Sequence, residues 1–200
     1  MIRNVVFDIG WVFVAIRPQP MLDYLRQQGA CTADLDTLVK AVELQDHETG
    51  RLDGEGLLDR IGQLAMPSHD REQLRALWLS MLEPLPDMIT LARDLSARYR
   101  VYLLSNIGEL HWEHLVRTIS VDAIGHGALA SYRAGVMKPE AGIYAQAEQR
   151  FGLEPGATVF IDDRKENIEA ARARGWHGII HRDHQDTCVR LARLGVEVPT

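Results

Sequence analysis

Several short runs along the chain are apolar at nearly every position and then stop at a polar residue. Asn4 to Phe7 ends at Asp8, Val101 to Leu104 at Ser105, and Thr158 to Ile161 at Asp162. A strand that is apolar on both faces belongs inside a parallel sheet covered on both sides, whereas a half-exposed antiparallel strand alternates. Gly127 to Ala130 and Gly178 to Ile180 are weaker strand candidates. Between these runs the apolar positions recur at helical period, over Asp87 to Arg98, Glu109 to Thr118, Ala141 to Phe151 and Lys165 to Ala173, the last closed by Gly175. The stripe Leu91, Leu95 and Tyr99 reads as core packing of such a helix. Strands alternating with helices predict an α/β fold, a doubly wound parallel sheet between two helical layers.

The segment 17–85 breaks that rhythm. It carries helical patterns over Met21 to Gln28, which stops at Gly29, Leu35 to Leu44 after an Asp34 cap, Glu55 to Leu64 and Glu72 to Leu82, with no convincing strand between them. The pattern predicts a small helical lobe at 17–85, inserted after the first strand of a core made of 1–16 and 86–200. Charge follows the same division. Arg17 to Pro86 holds seven Lys/Arg against twelve Asp/Glu, a net of −5 out of −6 for the whole 200-residue chain. No basic face is concentrated anywhere, which argues against nucleic acid as a partner.

Composition narrows the class further. With 46% hydrophobic and 25% charged residues the chain is an ordinary globular sequence, and no run reaches the ~18 apolar residues of a membrane span. Arg3 ahead of an apolar stretch superficially resembles a signal peptide, but Asp8 interrupts it. Cys31 and Cys188, the two cysteines, lack any Cys-x-x-Cys spacing. A cytoplasmic monomer or homodimer without membrane association is expected. The pairs His111/His114 and His181/His184 have i, i+3 spacing, but without an H-E-x-x-H pattern or a cysteine partner they read as surface or half-buried histidines.

In an open parallel sheet, ligands collect at the carboxyl ends of the strands. The polar residues there are Asp8, Ser105 with Asn106, and Asp162 with Asp163, and Lys138-Pro139 stands just before a helix start. Carboxylates on neighbouring strand ends repel unless a cation lies between them, and all-oxygen ligands favour Mg²⁺. One carboxylate attacking phosphorus would form an acyl phosphate. A serine hydroxyl and a lysine suit the phosphoryl oxygens and their developing charge. Taken singly, each residue also has a plainer role: a strand-terminal Asp caps a turn, Ser-Asn forms one, and Lys-Pro-Glu starts a helix.

The motifs V-V-F-D-I-G (5–10), L-L-S-N (103–106), Lys138-Pro139 and F-I-D-D-R-K-E-N (160–167) together resemble those of the haloacid dehalogenase superfamily of hydrolases, in the same order. Within it, the chain is similar to the small phosphatases related to glucose-1-phosphate phosphatase and to the N-terminal domain of soluble epoxide hydrolase. The resemblance implies a Rossmann-like core with an α-helical cap. It also implies that Asp8 is the nucleophile and a Mg²⁺ ligand, that the Gly10 carbonyl and Asp163 are further ligands, and that Asp162 binds through water or shares that role. Ser105 and Asn106 would hold the phosphoryl oxygens, Lys138 would tie Asp8 to the transferring phosphate, and Asn167 would support the ligands from behind.

One position departs from the family pattern. Most phosphatases of this family place a second Asp two residues after the nucleophile as general acid and base, and here that residue is Gly10. Either the substrate has an easy leaving group, such as an anomeric sugar, acyl or aryl phosphate, or the cap lends the proton donor. Candidates from the cap are Glu48, for a sugar hydroxyl or as the missing acid, and Arg51, for an anionic group, both in the His47–Leu52 stretch that resembles an E-x-G turn of the same branch. An ordinary solvated turn is the plainer reading of that stretch. Trp11 either walls the pocket or buries its ring against the cap. The function expected is Mg²⁺-dependent hydrolysis of a small phosphorylated metabolite, with a sugar phosphate among the candidates. The alternatives are a carbon–halogen hydrolase, for which the Asp162-Asp163 pair has no electrostatic purpose, and a silent family member that binds a phosphorylated ligand or a partner.

Overall fold

The computed structural model describes residues 1–30, 34–65 and 69–198; Cys31 therefore lies outside the described residues. Five strands, β1 (Asn4–Phe7), β4 (Arg100–Ser105), β5 (Gly127–Ala130), β6 (Thr158–Asp162) and β7 (His177–Ile180), form one sheet in the order β5-β4-β1-β6-β7 with every neighbour parallel. The period of two divides their side chains between two cores. Val5, Phe7, Val101, Leu103, Val159 and Ile161 pack on one face, and Val6, Tyr102, Leu104 and Phe160 on the other.

Helices cover both faces. α6 (Pro86–Leu95), α7 (Glu109–Ile119) and α11 (His184–Arg193) contribute Met88, Leu91, Leu95, Leu115 and Leu191 to the first core. α9 (Ala141–Phe151) and α10 (Lys165–Ala173) contribute Ile143, Tyr144, Ile168 and Ala171 to the second. A one-turn helix, α8 (Ser131–Ala134), follows β5 directly. The result is the three-layer α/β architecture expected, with a Rossmann-like doubly wound sheet.

The chain leaves β1 toward β4 and β5 on one side and later returns to β6 and β7 on the other, so the winding reverses at β1. At such a switch point the connections on either side of the strand diverge, and a crevice opens beyond its carboxyl end. Asp8 is the residue that follows β1.

Among the described residues, five helices lie between β1 and α6: α1 (Gln19–Gln27), α2 (Leu35–Ala41), α3 (Leu44–Glu48), α4 (Gly54–Leu64) and α5 (Arg71–Leu79). They share a separate apolar cluster around Leu25, Leu38, Leu57, Ile61, Leu74 and Trp78, into which Leu110 of α7 also packs. Asp34, Asp53 and Asp70 cap α2, α4 and α5, each accepting a backbone N–H of the first turn and so satisfying a donor that the helix leaves unpaired.

Two features of the lobe and its junction differ from the sequence pattern. The expected helix over Leu35–Leu44 ends at Ala41, because Glu43 takes a left-handed conformation (φ 48°), and the chain restarts as α3 in a new direction. A two-stranded antiparallel ribbon, β2 (Val14–Ile16) with β3 (Leu82–Pro84), joins the lobe to the core where no strand was expected. Strands of three residues are too short to display a period.

Candidate active site

Asp8 and Asp162 stand on adjacent strand ends, and Lys138, from the loop after α8, reaches between them. Its Nζ lies 2.8 Å from Asp8 Oδ1 and 2.7 Å from Asp162 Oδ2. All three residues are buried, so these ion pairs are little screened by water. Asn106 holds the lysine in place through its backbone: the Asn106 amide donates to the Lys138 carbonyl at 2.9 Å, and its Oδ1 accepts the Lys138 N–H at 2.8 Å. The side chain of Asn106 is thus committed to positioning Lys138.

The acidic pair divides its work. Asp162 Oδ1 accepts the Arg164 backbone N–H at 2.8 Å, Oδ2 accepts Lys138, and the Asn167 amide reaches both oxygens, at 2.9 and 3.0 Å. Every oxygen of Asp162 is occupied by protein donors. Asp163, next along, is half-buried, and its carboxyl is raised by burial and by the charge of Asp162. Both bonds described for Asp8, from Lys138 and from the Ile9 N–H at 2.7 Å, fall on Oδ1, which leaves Oδ2 as the oxygen for chemistry.

Asp8, Asp162 and Asp163 each bring a carboxylate oxygen within 4.8 Å of the others, the one such cluster among the described residues. One lysine faces these three carboxylates. Burial, and then the charge of Asp162, push Asp8 up to about 7 against the pull of Lys138. A protein-only site is therefore short of positive charge, and an all-oxygen donor set in that condition fits a hard divalent cation such as Mg²⁺.

Beside this cluster opens a cavity of about 150 Å³ that Gly10, Ser105, Asn106 and Glu48 line from below. Glu48 is the last residue of α3 and is held from the core: the Ser131 hydroxyl donates to its carbonyl at 2.5 Å and itself accepts the Ile107 N–H at 3.0 Å. Gly50 closes the turn at φ +72°, where a Cβ would drive into the Tyr132 carbonyl, so the approach of the turn to α8 requires glycine. Burial and the neighbouring Asp8 charge push the Glu48 carboxyl up to about 7. At Gly10, by contrast, a Cβ would meet nothing within 4 Å.

Of the residues singled out by sequence, the structure brings Asp8, Gly10, Ser105, Asn106, Lys138, Asp162, Asp163 and Glu48 to one place. Two lie elsewhere. Arg51 points away, 58% exposed and paired with Asp46. Trp11, at φ 56° and 45% exposed, lines a separate surface groove with Arg17, Leu85 and His184 instead of the cavity. His111, which the sequence pattern marks only as a surface or half-buried histidine, also lines the cavity. Its ring stacks on Trp78 at 5.0 Å, its Nε2 meets the Trp78 carbonyl at 2.9 Å, and burial pushes it down to about 4, so it faces the cavity uncharged. Its i, i+3 partner His114 does not line the cavity, and His181 bonds Thr187 at 2.8 Å. No helix among the described residues is long and apolar enough to cross a membrane.

A family model described as haloacid dehalogenase-like hydrolase matches residues 22–175. The chain is 25% identical to a sesquiterpene phosphatase of Aspergillus oryzae, over 96% of each chain. It is 27% identical to a D-ribitol-5-phosphate phosphatase of Bacteroides thetaiotaomicron, over 88% of this chain and 90% of the relative. A solved structure of a family enzyme from B. thetaiotaomicron, in complex with magnesium and inorganic phosphate, superposes with a TM-score of 0.81, covering 91% of this chain and 95% of the other at 22% identity.

Proposed function

The chain belongs to the haloacid dehalogenase-like hydrolases, and from that premise we propose that it is a Mg²⁺-dependent phosphatase that cleaves a small phosphorylated compound through an aspartyl-phosphate on Asp8. The observation that carries this reading is the Asp8–Lys138–Asp162 ion-pair chain, buried at the switch point of the sheet with Asp163 beside it. Names of the two similar phosphatases point the same way. Asp8, Asp163 and the Gly10 carbonyl would hold Mg²⁺, with Asp162 joining through water, since its own oxygens are taken. When bound, the ion would offset the carboxylate charge and that of the phosphoryl group.

The protein residues divide the reaction between them. Asp8 Oδ2 attacks phosphorus in line, forming the new P–O bond as the ester P–O bond breaks. Ser105 and the backbone beside Asn106 hold phosphoryl oxygens, and Lys138 keeps Asp8 ionised and aimed. Glu48 gives its proton to the departing alkoxide, taking the part that Gly10 cannot play, and recovers it from the water that hydrolyses the acyl phosphate. The helical lobe 17–85 acts as a cap that shields the first step from bulk water.

Hydrolysis of p-nitrophenyl phosphate with and without Mg²⁺, by the native protein and Asp8→Asn, tests the reading. Turnover that needs both the ion and Asp8 is the expected result. Halide release from a 2-haloacid without Mg²⁺ would replace it with the carbon–halogen reading, and a folded protein that turns over neither would be a silent binder.

A further inference from the structure

The wall of the cavity away from Ser105 and Asn106 is apolar side chain apart from the indole Nε1 of Trp78, a buried donor with no hydrogen-bond partner among the described residues. Ile16, Leu35, Val39, Leu44, Trp78 and Leu82 form it, drawn from β2, α2, α3, α5 and β3. Among the described lining residues Glu48 and His111 are the ionisable side chains, and His111 is held neutral with its Nε2 spent on the Trp78 carbonyl. No lysine, arginine, asparagine or glutamine among the described residues of the helical lobe reaches the cavity.

A polyol leaving group placed there would bury several hydroxyls, each needing a partner to replace water. Beyond Glu48 and the single indole N–H of Trp78, the wall offers few partners for several hydroxyls, and every unpaired hydroxyl carries its full desolvation cost. An apolar group loses nothing on entry and releases the water that covers both surfaces. We propose that the cavity selects phosphate monoesters with an apolar leaving group, an alkyl or alkenyl chain or a hydrocarbon ring, in preference to sugar or polyol phosphates. The inference rests on the phosphatase reading above and departs from the sugar phosphate that the sequence suggested. Val39 and Leu44, half-buried at the wall, are the residues that set the preference.

The test compares ethyl, n-butyl and n-hexyl phosphate with glycerol 3-phosphate and a hexose 6-phosphate, with p-nitrophenyl phosphate as the common reference. With saturating Mg²⁺, kcat/KM is expected to rise about three- to fourfold per added methylene until the cavity is filled, and butyl phosphate to exceed glycerol 3-phosphate by at least tenfold. The matching n-alkyl phosphonates, which cannot be hydrolysed, should inhibit more tightly with chain length in the same progression. Val39→Asn should flatten that progression. Val39→Thr, nearly identical in shape, tests the same point if the first variant does not fold, and should lower the butyl-to-glycerol ratio severalfold. A flat series, or a preference for the polyol esters, in an enzyme that hydrolyses p-nitrophenyl phosphate by way of Mg²⁺ and Asp8 would overturn the apolar selectivity and leave the phosphatase reading intact. Failure with every ester, the reference included, would overturn both.

Discussion

Next to the Gly10, Ser105 and Asn106 lining of the cavity, Asp8, Lys138 and Asp162 form a chain of buried charges in which almost every polar atom has a protein partner. The Asn106 and Asn167 side chains serve only to hold it. Across the cavity the surface is mostly apolar, drawn from three helices and the β2–β3 ribbon, with the Trp78 indole N–H its buried donor and Glu48 its one carboxylate among the described residues. The sheet side fixes geometry through directional bonds and cannot yield without exposing a charge. The helical side acts through area and shape and tolerates exchange of one apolar residue for another. On the proposed reading the sheet sets the reaction type and the lobe the substrate choice, and the two should respond differently to substitution.

The largest effect expected is on proton transfer. Glu48→Gln should lower kcat on alkyl phosphates by about 10²- to 10⁴-fold while sparing p-nitrophenyl phosphate, whose leaving group needs no proton. Gly10→Asp should restore much of that loss in the same background, because a Cβ there meets nothing within 4 Å; rescue on alkyl but not aryl esters is the signature to measure. Lys138→Met should cost about 10²- to 10³-fold on every ester alike, and in the metal-free protein should lower stability, because two buried carboxylates lose their shared cation. Denaturant titration with and without Mg²⁺ checks the second part. Uniform loss with Lys138 and leaving-group-dependent loss with Glu48 would together separate the two sides of the cavity. The opposite pattern would merge them.

Smaller effects sharpen the same boundary. Gly50→Ala places a Cβ against the Tyr132 carbonyl at a left-handed position, and should destabilise by more than about 1 kcal/mol, read as a fall of about 2 to 4 °C in Tm per kcal/mol at this length. Because the turn carries Glu48, kcat on alkyl esters should fall with it. His111 gives a signal confined to acid pH. Its folded pKa, about 4, lies below the ordinary value of 6.5, so its contribution to stability is present above that ordinary value and is lost as pH falls toward about 4. His111→Phe removes this loss, so the Tm of the variant should improve relative to the native protein as pH drops from 7 to about 4. A constant difference across that range would mean that His111 is not held neutral by burial.

The layered core was legible because its strands are apolar at consecutive positions and its helices carry clear stops, which is how Asn4–Phe7 and Ala141–Phe151 announce themselves. Strand ends follow from the strands, and with them Asp8, Ser105 and Asp162. The ribbon β2–β3 was invisible at three residues a strand. α11 was passed over because only Thr187 and Leu191 are fully buried along it, although Asp183, which accepts the Asp186 N–H, was a usable cap signal. The break after Ala41 depends on the left-handed backbone of Glu43, a residue with no local preference for it. Arg51 shares the turn with Glu48, yet the turn directs one side chain inward and the other to solvent. The apolar wall could not be read at all. Its residues look in sequence like any amphipathic helix face, and only the packing decides which of them line a cavity and which fill a core.

The hydroxyl of Ser131 makes one further point about ownership. By chain connectivity Glu48 travels with the helices, yet its carbonyl is anchored to the same serine that grips Ile107 just past the end of β4, and Gly50 lets its turn lie flat on α8. A hinge drawn from the topology alone would swing Glu48 away with the lobe. The bonding ties its backbone to the floor instead, so if Glu48 is the proton donor proposed above, movement of the helices would leave it where the ester oxygen would be.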